Sequence, residues 1–206
     1  MYKSLLVKGL ERLNITLDDD KVDKLLAYHG LLVKWNKAFN LTAVRDPEAM
    51  ISRHLLDSLS ILPYVDGQRI LDVGTGPGLP GIPLAICYPE KDLTLLDSNG
   101  KKTRFLTQSK IELALNNVTP VQARIESFED QEFDSITSRA FATLKDMVDG
   151  SIHLLKVGGF FYAMKGVLPE EEINELDERV KVLECYPLKV PGEEGERHLV
   201  KMQRIS

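Results

Sequence analysis

Residues 69–86 read RILDVGTGPGLPGIPLAI, and this stretch decides the fold. The aliphatic run at 70–73 is typical of a buried strand, and the apolar run from Ile82 onward predicts a helix. Between them lies a turn where glycines let the backbone pass close to another group, at Gly74, Gly76, Gly78 and Gly81. Pro80 and Pro83 fit before or within the first turn of that helix. We expect free backbone N–H groups at the helix start to favour an anionic ligand group.

The composition suits one large α/β domain with an appendage, since the chain has 206 residues of which 43% are hydrophobic. Its net charge of −5 argues against indiscriminate phosphate binding but leaves room for a local basic face. Cys87 and Cys185 have neither CxxC spacing nor a neighbouring histidine cluster, so we predict no disulfide framework and no metal site. No apolar stretch approaches the roughly 20 residues that span a bilayer. We therefore expect a cytoplasmic monomer that does not bind membranes.

Residues 1–65 are predicted to form an N-terminal helical extension. Leucines at helical spacing predict a first helix, and the aspartates that follow suit the first turn of a second helix. A third helix should begin at Pro47, behind a capping aspartate, and end at Pro63. Trp35 and Phe39 lie at helical spacing, and we expect them to pack the extension against the main domain rather than stack an unpaired base.

Residues 66–206 are predicted to form the main domain, in which strands and helices alternate. The pattern predicts strands at 69–73, 91–96, 119–124, 133–138 and 159–165, and helices at 80–88, 100–115 and 143–155. Two strand-like runs, 180–190 and 198–205, are joined by PGEEGER with no room for a crossover helix, which predicts an antiparallel hairpin. The acidic run at 170–178 is most simply a solvated helix face. The fold class is therefore α/β, a mostly parallel sheet that binds ligands at the carboxyl ends of its strands.

The glycine turn can be aligned with two kinds of cofactor site. Gly76, Gly78 and Gly81 satisfy the GxGxxG pattern of nicotinamide oxidoreductases, although two residues separate the strand from the first of these glycines. The frame that begins at the strand end, Asp72-x-Gly-x-Gly-x-Gly, instead resembles the first motif of class I methyltransferases, which bind S-adenosylmethionine. Asp97 ends the next strand, where a carboxylate can accept hydrogen bonds from ribose hydroxyls in either fold. These residues alone leave both cofactors open.

Motifs along nearly the whole chain closely resemble the RsmG family, also called glucose-inhibited division protein B. They are WNKAFNLT at 35–42, RHLLDSL at 53–59, DVGTGPGLPGIPLAI at 72–86, LLDSNGKKTRFL at 95–106, SRAF at 138–141, MKG at 164–166 and GERH at 195–198. The resemblance implies a class I S-adenosylmethionine-dependent methyltransferase (Rossmann-like) fold with an N-terminal helical extension. It further implies methyl transfer to N7 of the guanine conventionally numbered 527 in 16S ribosomal RNA.

Site residues follow partly from the resemblance and partly from the residues themselves. The resemblance implies that the cofactor positions include Gly74, Leu79, Ile125, Glu126 and Arg139. Physical reasoning adds Asp72, Gly76 and Asp97, which lie at or just after the carboxyl ends of the first two predicted strands. The runs that follow the third and fourth strands, at 124–126 and 138–140, face the same edge and fit an adenosyl ligand.

The implied chemistry asks little of side chains. N7 of neutral guanine has a lone pair and no proton, so we assign no general base; catalysis depends on holding the attacking atom about 3 to 3.5 Å from the methyl group, in line with the sulfur. A pyrimidine C5 acceptor would require a cysteine nucleophile, yet Cys87 falls in a predicted helix and Cys185 in a late strand. An exocyclic adenine amine is usually handled by an Asn/Asp-Pro-Pro-aromatic motif, where this chain has SRAF.

The expected partner is 16S rRNA, in the 30S subunit or a precursor particle. Basic residues that could contact it are Arg53, Arg124, Arg139, Lys165 and Arg197, of which the last three lie at or near the predicted ligand-side edge. Asp57 is expected simply to pair with Arg53, four residues before it on a helix. A different class of function also stays open, namely a non-catalytic RNA-binding or cell-division module that retains the methyltransferase fold.

Overall fold

The computed structural model describes residues 1–130 and 132–206. Its helices are α1 Tyr2–Arg12, α2 Asp19–Phe39, α3 Pro47–Met50, α4 Asp57–Leu59, α5 Gly81–Cys87, α6 Gly100–Glu112, α7 Leu144–Ser151 and α8 Glu170–Asn174. Its strands are β1 Arg69–Val73, β2 Asp92–Asp97, β3 Val118–Gln122, β4 Phe133–Ser138, β5 Leu155–Lys165, β6 Val180–Leu188 and β7 Arg197–Arg204.

The seven strands form one sheet in the order β3-β2-β1-β4-β5-β7-β6. The pairs among β1 to β5 are parallel, whereas β7 runs antiparallel to both β5 and β6. The mostly parallel sheet with a C-terminal antiparallel hairpin is therefore confirmed. Because strand order reverses between β1 and β4, a crevice opens at their carboxyl ends, where open α/β sheets bind ligands.

The strand β5 begins four residues before its predicted start. Leu155 already pairs with Phe133, and β5 then bulges through Gly158, at φ 83, before Phe160 pairs with Ser135. A bulged strand carries extra residues that the hydrophobic pattern does not reveal. For the same reason the predicted helix 143–155 is too long, since α7 ends at Ser151 and a 3₁₀ turn leads into β5.

The third predicted helix is interrupted. Asp46 caps α3 by accepting from the N–H groups of Glu48 and Ala49, and Pro47 is the first helical residue, as predicted. The chain then winds as a π-helix over Ile51–Leu56 before α4, which ends at Leu59. Pro63 does not end this helix as predicted but lies in a separate 3₁₀ turn, Leu62–Tyr64. A π-helix closes i to i+5 bonds, so it changes which side chains share a face.

Two hydrophobic clusters cover the two faces of the sheet. The first joins the N-terminal helices to α5, α6 and one sheet face, and the second packs α7 on the other face. Trp35 of α2 lies 5.6 Å from Phe105 of α6, measured between ring centroids, which confirms that it packs the extension onto the main domain. Phe39 packs on Trp35 at 5.2 Å but is 41% exposed. Among the described residues, none of the helices has the length and apolar character needed to cross a bilayer.

Candidate functional site

Asp72 lies at the end of β1 and holds the glycine turn from beneath. The side chain is completely buried, and its Oδ2 accepts from Thr75 Oγ1 at 2.6 Å and from the Gly81 N–H at 2.8 Å. Its Oδ1 accepts from Thr137 Oγ1 of β4 at 3.3 Å. Burial raises the pKa of Asp72 to about 6, against the opposing effect of these hydrogen bonds. The carboxylate thus joins β1, β4 and the start of α5.

The start of α5 does not offer the free N–H groups expected from the sequence, so that expectation is wrong. The Gly81 N–H donates to Asp72, the Ile82 N–H donates to the carbonyl of Gly78, and Pro83 has no N–H. Gly81 is required for packing, because an added Cβ would lie 2.2 Å from Leu95 Cδ2. The protein's own Asp72 carboxylate occupies the place at the helix start where the sequence predicts an anionic ligand group.

Two other glycines shape the wall of the crevice. Gly76, at φ 60, donates its N–H to Asp97 Oδ2 at 2.8 Å, which ties the turn to the end of β2. Gly74, at φ 63, faces the loop after β4 so closely that an added Cβ would lie 2.5 Å from Ala140 Cβ. Asp97 also accepts from the Asn99 N–H at 2.9 Å. The turn is therefore held on both sides of the crevice mouth.

A cleft of about 300 Å³ opens at the carboxyl ends of β1, β2 and β3. It is lined by Val73, Gly74, Leu96, Asp97, Ser98, Ala123, Arg124, Ile125, Glu126, Ala140 and Phe141. The structure therefore brings together four of the predicted cofactor residues, namely Gly74, Asp97, Ile125 and Glu126. A larger cavity of about 390 Å³, between α1, the π-helical segment and residues 191–193, has no strand residue in its lining and lies away from this edge.

The other four residues predicted to bind the cofactor do not line the cleft. Asp72 and Gly76 hold the turn, and Leu79 is buried in the hydrophobic core with 1% exposure. Arg139 turns away toward Asp57, whose Oδ2 lies 2.8 Å from Arg139 Nη1. The cleft wall at this point is formed by the two residues after Arg139.

Asp57 of α4 forms ion pairs with two arginines, which the sequence did not predict. Its Oδ1 lies 3.3 Å from the Nε of Arg197, so one carboxylate, 7% exposed, holds two arginines from distant parts of the chain. The prediction that Asp57 pairs with Arg53 is wrong, because Arg53 pairs with Glu193 at 3.3 Å. The π-helical turns between Arg53 and Asp57 remove the i to i+4 alignment on which that prediction relied.

Lys165 is also paired within the protein. Its Nζ lies 2.8 Å from Glu172 Oε2 and 2.9 Å from the carbonyl oxygen of Ala142. Glu172 accepts in addition from the Leu144 N–H at 2.8 Å, at the start of α7. The acidic run at 170–178 is therefore more than a solvated face. Of the residues predicted to contact RNA, Arg124 is the one that lies exposed in the cleft wall.

A residue that the sequence did not single out also reaches the turn. Tyr28, on the apolar face of α2, is fully buried and donates its hydroxyl hydrogen to the carbonyl oxygen of Pro77 at 2.9 Å. Its only sequence signal is its place among the leucines of α2, which predicts burial and not a partner. Burial raises its pKa, so the hydroxyl stays protonated and remains a donor.

Cys87, Cys185, His54 and His198 lie outside the cleft lining. Cys87 is buried on α5, where burial raises its thiol pKa to about 12, and Cys185 lies on β6, as predicted. His54 Nε2 lies 2.8 Å from Thr42 Oγ1, and burial lowers the pKa of His54 to about 4. His198 Nδ1 lies 2.7 Å from the Gly166 carbonyl oxygen. Within the described ranges, no group of three or more His, Cys, Asp or Glu residues could hold a metal ion.

Comparison with known proteins gives consistent results. The sequence profile of the family described as "GidB: rRNA small subunit methyltransferase G" matches residues 21–200. A relative from Marinomonas sp. named "Ribosomal RNA small subunit methyltransferase G" is 55% identical over 198 residues, covering 96% of this chain and 95% of the relative. One of the same name from Stutzerimonas stutzeri is 55% identical over 204 residues, covering 98% and 95%.

Solved structures share the fold at low sequence identity. TrmN from Thermus thermophilus aligns with a TM-score of 0.57 and 16% identity, covering 82% of this chain and 53% of that one. The M. jannaschii TYW2 structure in complex with AdoMet aligns with a TM-score of 0.56 and 18% identity, covering 73% and 76%. The class I S-adenosylmethionine-dependent methyltransferase fold expected from the sequence is confirmed.

Proposed function

The chain belongs to the rRNA small subunit methyltransferase G family, and from that premise we propose that it methylates N7 of the guanine conventionally numbered 527 in 16S rRNA. The family supports an S-adenosylmethionine-dependent rRNA methyltransferase. In this chain the proposal is supported above all by the cleft at the ends of β1, β2 and β3. Asp97, Ile125 and Glu126 line this cleft beside a glycine turn.

The residues of the cleft fit S-adenosylmethionine. We propose that Asp97 accepts hydrogen bonds from ribose hydroxyls, and that Ile125 and Glu126 lie beside the adenine ring. Gly74 leaves the wall free of a side chain, while Asp72 and Gly76 act by holding the turn in shape. When bound, S-adenosylmethionine supplies an electrophilic methyl group on a sulfonium.

The chain itself contributes positioning and electrostatics rather than proton transfer. N7 of guanine has no proton to lose, and the cleft lining includes neither histidine nor cysteine among its described residues. The ionisable residues in that lining are Asp97, Arg124 and Glu126, two of which are acids. A lining with two acids suits S-adenosylmethionine, whose sulfonium is positively charged, because opposite charges attract more strongly in a partly desolvated site.

The acceptor is proposed to be 16S rRNA in the 30S subunit or a precursor particle, with the protein acting as a cytoplasmic monomer. Residues 1–65 would serve as the helical extension of the catalytic domain, 66–206. Arg124 is exposed in the cleft wall and is proposed to make a direct phosphate contact. The other candidates are Arg53, Arg139, Lys165 and Arg197, each of which would have to exchange a carboxylate partner for phosphate.

Borohydride and aniline cleave RNA at N7-methylguanine and test the proposed product directly. The 16S rRNA of a deletion strain should lose one cleavage, and the intact gene should restore it. Gly74→Val should not restore it, because its Cβ would approach Ala140 within the cleft wall. Gly30→Ala, on open surface of α2, should restore it fully. Unchanged cleavage in the deletion strain would contradict the proposed product, and restoration of cleavage by Gly74→Val would contradict the role of Gly74 in the cofactor site. A Gly74→Val variant that restores the cellular phenotype without restoring the cleavage would favour a non-catalytic role.

The state of the acceptor needs a separate experiment. Labelled methyl transfer should be measured with purified protein, first on naked 16S rRNA and then on 30S particles that come from the deletion strain. Label that appears in neither RNA would contradict an rRNA methyltransferase. Label that appears at a different nucleotide would contradict the proposed position alone.

A further inference from the structure

We propose that Tyr28 is a positioning residue for the cofactor cleft, acting through its hydrogen bond to the carbonyl of Pro77 in the glycine turn. The inference rests on the proposed cofactor site. The hydroxyl belongs to α2, well before β1 in the chain, yet it lies 2.9 Å from a backbone oxygen of the glycine turn, between Gly76 and Gly78. The N-terminal extension thus takes part in forming the site.

The carbonyl of Pro77 takes its partner from outside the turn, whereas the N–H groups of Gly78 and Leu79 donate within the turn, to the carbonyl of Thr75 at 3.0 and 2.9 Å. Pro77 has no N–H, so its carbonyl is its one backbone hydrogen-bonding group. On either side, Gly76 and Gly78 have φ values of 60 and 103, conformations that glycine adopts and leaves with little cost. Asp97 already holds the Gly76 N–H from β2. Since Tyr28 holds the carbonyl of Pro77, two side chains from outside the turn, one on β2 and one on α2, fix its backbone at neighbouring residues.

Tyr28 is itself rigidly placed. It is 0% exposed, and its ring centroid lies 6.1 Å from that of Phe105 on α6. Leu25 and Leu32, one turn before and one turn after it on α2, are also buried in the same core. A donor delivered by a packed helix loses little rotamer entropy in forming its bond, so the bond can hold a flexible turn in one conformation.

Removing the hydroxyl should therefore weaken cofactor binding while preserving the core. In Tyr28→Phe the ring still packs on Phe105, but the buried carbonyl of Pro77 loses its donor. We expect the Kd for S-adenosylhomocysteine to rise about fivefold. The KM for S-adenosylmethionine should rise by a similar factor, with kcat and the KM for 30S particles changing less than twofold.

Tyr88→Phe is the matched control. The Tyr88 hydroxyl also donates to a backbone carbonyl, that of Leu62 at 2.6 Å, but at the far end of α5 from the glycine turn. Tyr28→Phe should lose more stability in urea unfolding than Tyr88→Phe, because Tyr28 is fully buried and Tyr88 is partly exposed. Tyr88→Phe should bind S-adenosylhomocysteine as the wild type does. Hydrogen exchange adds a local measurement that needs no ligand. The backbone amides of Thr75, Gly76, Gly78 and Leu79 should exchange faster in Tyr28→Phe and at the wild-type rate in Tyr88→Phe.

The outcomes separate the inference from the function on which it rests. Equal binding by the two variants, or unchanged exchange in the turn of Tyr28→Phe, would overturn the positioning role of Tyr28. Failure of the wild type to bind S-adenosylhomocysteine would instead overturn the proposed cofactor. A fall in kcat with unchanged KM in Tyr28→Phe would also count against positioning, since it would place the effect on the chemical step and not on cofactor binding.

Discussion

The buried carboxylate of Asp72 should make the stability of this protein depend on pH in a way that Asp72→Asn removes. In that variant the amide oxygen can occupy the place of Oδ2 and accept from Thr75 Oγ1 and the Gly81 N–H. The amide NH₂ can then donate to Thr137 Oγ1, which lies 3.3 Å from Oδ1. The substitution therefore removes the charge while leaving the hydrogen bonds a way to form.

The magnitude follows from the pKa of Asp72, which burial raises from 3.8 to about 6 in the folded protein. Because the folded state binds this proton more tightly than the unfolded state, unfolding becomes easier as pH rises. The stabilisation is fully present below about pH 4 and is lost as pH rises through about 6. A displacement of that size corresponds to roughly 3 kcal/mol of unfolding free energy, an order-of-magnitude figure for a completely buried group.

Urea unfolding of both proteins at a series of pH values from 4 to 8 measures this loss. Other titrating groups cancel in the difference between the two, so the free energy of unfolding of Asp72→Asn minus that of the wild type should widen by roughly 3 kcal/mol across the range. Asp20→Asn, on a side chain that is 76% exposed, serves as the control and should show no such widening. A constant difference for Asp72→Asn would refute the reasoning.

Three further predictions concern packing, charge pairing and thiol reactivity. Gly81→Ala should lower the free energy of unfolding in urea by roughly 1–3 kcal/mol, because its Cβ overlaps the core. Gly30→Ala, whose Cβ lies in open space, should raise it by about 1 kcal/mol. Similar effects at both sites would contradict this prediction. Asp57→Ala leaves two arginines unpaired and should cost roughly 3 kcal/mol, and a loss below about 0.5 kcal/mol would show that the pairs are solvated. At pH 8 a thiol reagent should label Cys185 in the folded protein, but Cys87 only after unfolding, as peptide mass spectrometry would show.

The sequence predicts those parts of the fold that depend on local pattern. The strand 69–73 has the predicted bounds because its aliphatic run ends sharply at Gly74, and the strand 133–138, which alternates less regularly, has the predicted bounds as well. The π-helical Ile51–Leu56 could not be predicted in this way, since its apolar residues also fit an α-helix. The early start of β5 is hidden for a similar reason, because the bulge before Phe160 places residues out of the simple alternation.

The candidate site is likewise predicted from the sequence only in part. Gly74, Asp97, Ile125 and Glu126 line one cleft, because the ends of parallel strands must meet at one edge of a sheet. Their contact with the cofactor stays a prediction. Local sequence pattern does not predict the direction in which a side chain points. Arg139 follows β4 as expected but pairs with a carboxylate 82 positions earlier in the chain, which no local pattern encodes. Contacts of that kind are set by packing between elements.

The internal ion pairs bear on how the acceptor is recognised. Four of the five basic residues proposed to meet RNA already pair with a carboxylate, so each phosphate contact they make would break an existing attraction. The net gain per contact is then smaller than for a free cation, on a protein whose net charge is −5. Because the electrostatic attraction between this protein and RNA is weak, the affinity depends on how well the protein surface fits a folded RNA in which the guanine is already accessible. We therefore expect a folded, protein-bound 16S rRNA to be a better acceptor than naked RNA.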